Sequence, residues 1–236
     1  TASASGVPRF TVGRADITVN GQKDIVTSGM SNVNDVFVYD TTKDVDGGLW
    51  RVDSRAKASS WYNETLDDGA SDPCVNDTDD RCGRREFPEK AIVVVTNDDL
   101  FIFDAKDNTQ WMNFDRNTNL MALDGGNGTA VYALNGKIYI TSANYMRSVD
   151  FIRDTAYAYS TSVVQTFNGT ISGRNTANGY GSDLSWGGIV SNITNDVSAA
   201  VICGNPSTSS GSCRTYVAVA TDAGVSVINE TDQKVI

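Results

Sequence analysis

The stretch Ala91–Asp115, AIVVVTNDDLFIFDAKDNTQWMNFD, decides the fold. Its apolar residues fall in short runs broken by clusters of Asn and Asp, and such runs read as β-strands joined by tight turns. A strand, a turn at Asn97 to Asp99, a second strand and a third around Trp111 to Phe114 make a small antiparallel meander. Thr129–Ile152, TAVYALNGKIYITSANYMRSVDFI, repeats the plan with Asn135-Gly136, the pair best suited to a type I′ hairpin. Cys213–Ile236, CRTYVAVATDAGVSVINETDQKVI, repeats it again with a turn at Thr221 to Gly224.

Outward from these copies, Asp35–Val52, DVFVYDTTKDVDGGLWRV, reads as a fourth, degenerate one, with VFVYD in the role of LFIFD and GLWRV in that of QWMNF. On this phasing, corresponding strands begin near Val36, Leu100, Ile138 and Val225, so insertions separate some copies. The repetition predicts an all-β chain, a β-propeller-like array of antiparallel blades that is incomplete within these residues; a β-sandwich is the alternative. Residues 1–23 are expected to form an N-terminal extended segment and residues 24–236 the propeller-like domain. Loop insertions are expected at about 53–90 and 160–196, both polar and turn-rich, and read as surface excursions suited to contact.

The chain has 236 residues, 19 basic and 29 acidic, for a net charge of −10. That charge repels phosphate backbones and anionic membranes, which disfavours nucleic acid as a partner, and it suits a saline extracellular setting. No apolar run reaches the roughly 20 residues that span a bilayer, so membrane insertion is not expected. The opening TASASGVPRF lacks the basic start and apolar stretch of a signal peptide, and the first residue is not Met, so a processed chain or part of a longer polypeptide is expected. Histidine is absent, which excludes Ser-His-Asp and Cys-His catalysis.

The four cysteines form two local pairs, Cys74 with Cys82 and Cys203 with Cys213. Closing each turn-rich loop by a disulfide would add about 2–3 kcal/mol in an oxidising compartment. The spacing does not suit zinc.

The loop DTTKDVDGG carries Asp40, Asp44 and Asp46, whose oxygens suit calcium; DAKDN from Asp104 is a second acidic loop. A plain turn, with Asp side chains bonded to backbone N–H groups, is the competing reading. Calcium is thus the one candidate cofactor, and no catalytic residues are assigned. A glycosidase would need two carboxylates about 5–10 Å apart, and Asp46 precedes Trp50 by four residues where the sialidase turn motif needs five. Six sequons, at Asn63, Asn76, Asn127, Asn168, Asn192 and Asn229, are candidate glycosylation sites, whereas Asn205 precedes Pro and drops out. The aromatic pair Trp61–Tyr62, with Tyr180 and Trp186, is a candidate for stacking on glycans, against burial as the competing reading.

The segments VGRADIT (12–18), GMSNVNDVFVYDTTKDVDGGLWR (29–51), SWYNET (60–65), RREFPEKAIVVVT (84–96), SVDFIRD (148–154) and TYVAVATDAGVSVI (215–228) resemble, in the same order, a family of long proteins predicted in marine tailed phages and seawater metagenomes. In that family a basic segment usually precedes SWYNE; this chain has VDSRAKAS there, and the cysteine-bracketed insert is its own addition. The resemblance implies a virion-associated structural protein bearing a propeller, of the tail or host-adsorption apparatus. It implies copies of itself, neighbouring virion proteins and host surface glycans as partners, and a virion, extracellular location. The alternatives are a secreted or cell-surface glycoprotein with an adhesive or filament-forming role, and a propeller hydrolase acting on polysaccharide.

Overall fold

The computed structural model describes residues 30–66, 81, 83–116, 120–123, 126–203 and 213–236. The N-terminal segment 1–23 lies outside them. The chain is all-β, and its described residues form three antiparallel meanders. Sheet 1 runs in the order β1 (Val33–Asp40), β2 (Lys90–Thr96), β3 (Asp99–Asp104), β4 (Gln110–Asp115). Sheet 2 has six strands in chain order: β5 (Gly128–Leu134), β6 (Lys137–Ser142), β7 (Met146–Asp150), β8 (Thr155–Tyr159), β9 (Val164–Phe167) and β10 (Tyr180–Leu184). Sheet 3 comprises β11 (Thr194–Cys203), β12 (Cys213–Thr221), β13 (Gly224–Asn229) and β14 (Lys234–Val235). The first strands of the sheets lie side by side, β5 between β1 and β11, which arranges the sheets as successive blades of an incomplete propeller-like array.

Local chemistry sets the repeat. At one end of each sheet the second and third strands are joined by a turn closed by a hydroxyl. Thr96, Ser142 and Thr221 each donate to the carbonyl three residues on, those of Asp99, Tyr145 and Gly224, and accept backbone N–H groups in between. At the other end Asp104, Asp150 and Asn229 accept N–H groups two or three residues on, from Lys106, Arg153 and Asp232. Each first strand also carries one extra residue near its start, Asn34, Thr129 or Asn195, which bulges it against the hydroxyl turn.

These turns correct the phasing expected from sequence. VFVYD belongs to β1, the first strand of sheet 1, and pairs with β2 rather than opening a separate copy. Leu100 and Val225 lie in third strands, whereas Ile138 lies in a second strand. The two ends of a meander carry different turn chemistries, and the Asn135-Gly136 turn, between first and second strands, lies at the end opposite to that of the Asn97–Asp99 turn. GLWRV is not a strand: Leu49–Arg51 is a single 3-10 turn. The two insertions are also more than surface excursions. The 53–90 segment forms the short helices α1 (Ser54–Ala58) and α2 (Ser60–Asn63) and buries Trp61 and Phe87, while the 160–196 segment contributes β9, β10 and the buried Ile171, Trp186 and Ile189.

Two cores result. Between sheets 1 and 2, Trp50, Trp61, Phe87, Trp111 and Phe151 pack ring on ring with centroids 4.9–6.3 Å apart. Between sheets 2 and 3, Tyr139, Met146, Tyr159 and Trp186 meet Val197, Val217, Val219 and Ile228.

Candidate functional site

The candidate site is the set of polar seams that join one sheet to the next, because the charged residues singled out by sequence converge there. At the first seam Asp44, 6% exposed, is fully engaged. Its Oδ2 accepts from the Tyr39 hydroxyl and from Trp50 Nε1 at 2.8 Å, and its Oδ1 accepts the Asn135 N–H of sheet 2 at 2.8 Å. Tyr39 Oη in turn accepts the Gly136 N–H at 2.8 Å. A Cβ on Gly136 would stand 2.8 Å from Ile152 Cγ1 and 3.1 Å from Trp50, and its φ is +72°, so glycine is required at this contact. Burial, reinforced by the neighbouring Asp44 charge, raises the Tyr39 pKa far above the ordinary tyrosine range.

The other two acids of that loop point elsewhere. Asp40 Oδ1 accepts the Thr42 N–H and hydroxyl, and Asp46 accepts the N–H groups of Gly48 and Trp50 at 3.0 Å. Asp40, Asp44 and Asp46 therefore do not form a calcium cage: each closes its own turn or seam, and no group of three metal-binding side chains converges among the described residues. In the second acidic loop Asp104 and Asp107 likewise accept local N–H groups, from Lys106 and Thr109.

The second seam contains residues that sequence reasoning missed. Lys137 Nζ lies 3.1 Å from Glu230 of sheet 3 and 3.4 Å from Asp150, and Arg153 pairs with Asp150 at 2.9 Å. Tyr139 donates to Glu230 at 2.8 Å, and the Tyr159 hydroxyl lies 3.4 Å from the same carboxylate. Burial opposes the Lys137 charge, but Glu230 and Asp150 outweigh it and raise its pKa; burial next to Glu230 pushes Tyr139 and Tyr159 well above the ordinary value. The one available signal was a lysine on the same face as Tyr139 and Thr141 in the strand run KIYITS. Asp150 is fully buried, and the Asp150 and Glu230 carboxylates both hold the Lys137 ammonium. A recess beside Gly83, Asp104, Thr109 and Trp111 holds only about 20 Å³, room for one water.

Three arginines support the irregular segments. Arg81 donates to the carbonyls of Trp61, Trp111, Arg84 and Arg85 and stacks 4.0 Å over the Trp111 ring. Burial pushes its pKa down to about 10 against the opposing Glu64 charge. Arg174 pairs with Glu64 and donates to Asn113 O, and Arg147 donates to Leu120 O. Each supplies donors to backbone carbonyls of loops or of the edge strand β4.

Of the candidate glycan-stacking residues, Trp61 and Trp186 are buried and Tyr62 and Tyr180 half-buried. Trp61 is 0% exposed and donates to Phe151 O, Trp186 is buried against Tyr157, and Tyr180 donates to Met121 O beneath the Arg147 guanidinium. Tyr62 is half-buried, with its ring on Trp61 and its hydroxyl donating to Glu86. Burial, the competing reading for these aromatics, holds for Trp61 and Trp186.

Among the sequons, Asn127 and Asn168 are exposed in loops, and Asn192 accepts the Thr161 N–H. Asn63 is exposed, with its amide donating to Lys57 O and Ser59 O. Asn229 is corrected as a glycosylation site: it is 4% exposed and bonded through both side-chain polar atoms to Asp232. Asn76, Cys74 and Cys82 lie outside the described residues. Cys203 and Cys213 form a disulfide that closes the β11–β12 loop.

No family model matches the chain, and no curated protein matches it. Among solved structures it is similar to a chain in a complex of S. cerevisiae Dbp5 bound to Nup159, Gle1, IP6 and ADP, at 12% identity and a TM-score of 0.21. The match covers 63% of this chain and 46% of that one, and a likeness this distant carries no functional argument.

Proposed function

We propose that the chain is a non-enzymatic structural protein of a virus particle, a blade array of the tail or host-adsorption apparatus of a marine tailed phage. The observation that supports it is the use of the charged groups: Asp44, Asp150, Glu230 and Lys137 join sheets rather than open into a cleft. Such seams make a rigid scaffold with its loops on the outside. The net charge of −10 suits a saline medium, and no helix among the described residues is long and apolar enough to cross a membrane. Copies of the chain and neighbouring virion proteins are the partners this reading requires.

A secreted or cell-surface glycoprotein is the second reading, favoured by the Cys203–Cys213 disulfide, which belongs in an oxidising compartment, and by the exposed Asn127 and Asn168. Density-banded particles from the source material, probed by peptide mass spectrometry and antibody labelling, separate the two. Peptides that band with particles and label at the tail are expected. Recovery only from the soluble fraction, with sugar-sized mass steps, would favour the glycoprotein. Polysaccharide turnover that Glu230→Gln abolishes while leaving the fold intact would make the protein an enzyme.

A further inference from the structure

Three relations recur from one sheet to the next. The bulged residue of each first strand donates to the carbonyl just before the bulge of the following sheet: Asn34 Nδ2 to Gly128 O at 2.6 Å, and Thr129 Oγ1 to Thr194 O at 2.9 Å. The residue after the bulge then faces the following sheet. Asp35 does so with Oδ1 on its own strand's Val36 N–H and Oδ2 on the Val131 N–H of sheet 2, at 3.0 Å. Finally, the sheet face that carries this residue is the one on which the next sheet packs: Val93, Val95 and Ile102 toward sheet 2, and Tyr132, Tyr139 and Met146 toward sheet 3.

Sheet 3 carries the same devices, and among the described residues no further sheet packs on them. Asn195 is the bulged residue and donates to Asp222, as Asn34 does to Asn97. Asp196 Oδ1 caps Val197 N, as Asp35 caps Val36, while its side chain stands exposed. On the same face as Asp196 lie Ser198, Ala200, Ala218 and Val225, all exposed and small enough for a second sheet to approach at about 10 Å.

We propose that this face is the seat of a fourth antiparallel β-blade, supplied by sequence outside these 236 residues, whose first strand has a non-acidic residue after its bulge. The charge pattern selects that chemistry. Asp35 finds a free N–H in sheet 2 because Ala130 stands where sheets 1 and 3 have an aspartate, so Val131 is not capped by its own strand. A second copy offering its first or third sheet would set Asp35 or Asp196 against Asp196, with the N–H already capped, between chains of net charge −10. Its first and second sheets are also each buried on both faces. The inference rests on the hydrogen-bond periodicity and not on the virion reading, so either can fail alone.

Two measurements test it. In the 236-residue chain, Asp35→Ala should lower the Tm by several degrees, while Asp196→Ala, which removes only a local cap, should shift it by about 1–2 °C. Equal losses would mean that Asp196 already has a partner and would overturn the proposal. Next, a copy of Arg116–Tyr159, which carries β5, is fused after Ile236, since β14 holds in sheet 3 the place that β4 holds before Arg116. Hydroxyl-radical labelling at Val225 and Ile202 should slow several-fold, and should return to the parental rate when the copy carries Ala130→Asp. Equal slowing by both fusions, slowing by neither, or slowing in the parent chain as it dimerises would each overturn it.

Discussion

Asp44 and Asn135 stand 91 residues apart in the chain, yet Asp44 Oδ1 accepts the Asn135 backbone N–H at 2.8 Å and so pins the insertion after β1 to the β5–β6 turn. Because the same carboxylate also receives Trp50 Nε1 and the Tyr39 hydroxyl, Asp44→Ala would strand three buried donors. A loss of about 2–4 kcal/mol in urea unfolding is expected. Asp46→Ala, which removes only local turn bonds, should cost about 1 kcal/mol. Added calcium or a chelator should leave the Tm of the parent chain unchanged; a calcium-dependent rise that Asp44→Ala abolishes would restore the metal site.

Stability should fall in alkali. Tyr39, Tyr139, Tyr159 and Lys137 all have pKa values raised in the folded protein. The folded state therefore holds protons that the unfolded chain releases from about pH 10, where free tyrosine and lysine titrate. Their contribution is intact below that pH and is lost as pH rises through the folded values. The urea midpoint measured from pH 8 to 11 should drop steeply above pH 10, and Tyr159→Phe should flatten the slope. An unchanged slope in that variant would remove Tyr159 from the account.

Trp61 is a core residue, so Trp61→Ala should cost about 3–5 kcal/mol. On a glycan array the parent chain should show no binding that this substitution removes selectively. In a glycosylating host, tryptic peptide mapping should find sugar on Asn127 or Asn168 before Asn229, whose side chain is held by Asp232. Full occupancy at Asn229 would mean that the β13–β14 turn opens.

The Cys203–Cys213 disulfide closes a loop with a sequence separation of 10. Replacing both cysteines by Ser should lower stability by about 2–3 kcal/mol through the freed loop, measured by denaturant unfolding without reductant. A smaller loss would indicate that the β11–β12 ladder already holds the two cysteines together in the unfolded reference as well as in the fold.

The turns were legible in the sequence because their chemistry is local. A hydroxyl or carboxylate that bonds backbone two or three residues on, as at Thr96, Asp104 and Thr221, needs no distant partner, and residue type with alternation sufficed to read the strands between. The local cysteine pair Cys203–Cys213 was legible for the same reason.

Tertiary structure alone decided which strand begins each sheet, since β1 meets β2 only across residues 41–89 and nothing near Asp40 announces that return. It also decided what Asp44, Trp61, Lys137 and Asn229 do. Asp44, Trp61 and Lys137 each sit in or beside polar or turn-rich sequence that suggests exposure, and are buried by groups about 90 residues away. Asn229 forms a local turn, but its burial is fixed by the sheet around it. Burial is a property of which surfaces meet, and the sequence lists residues without saying which of them will meet.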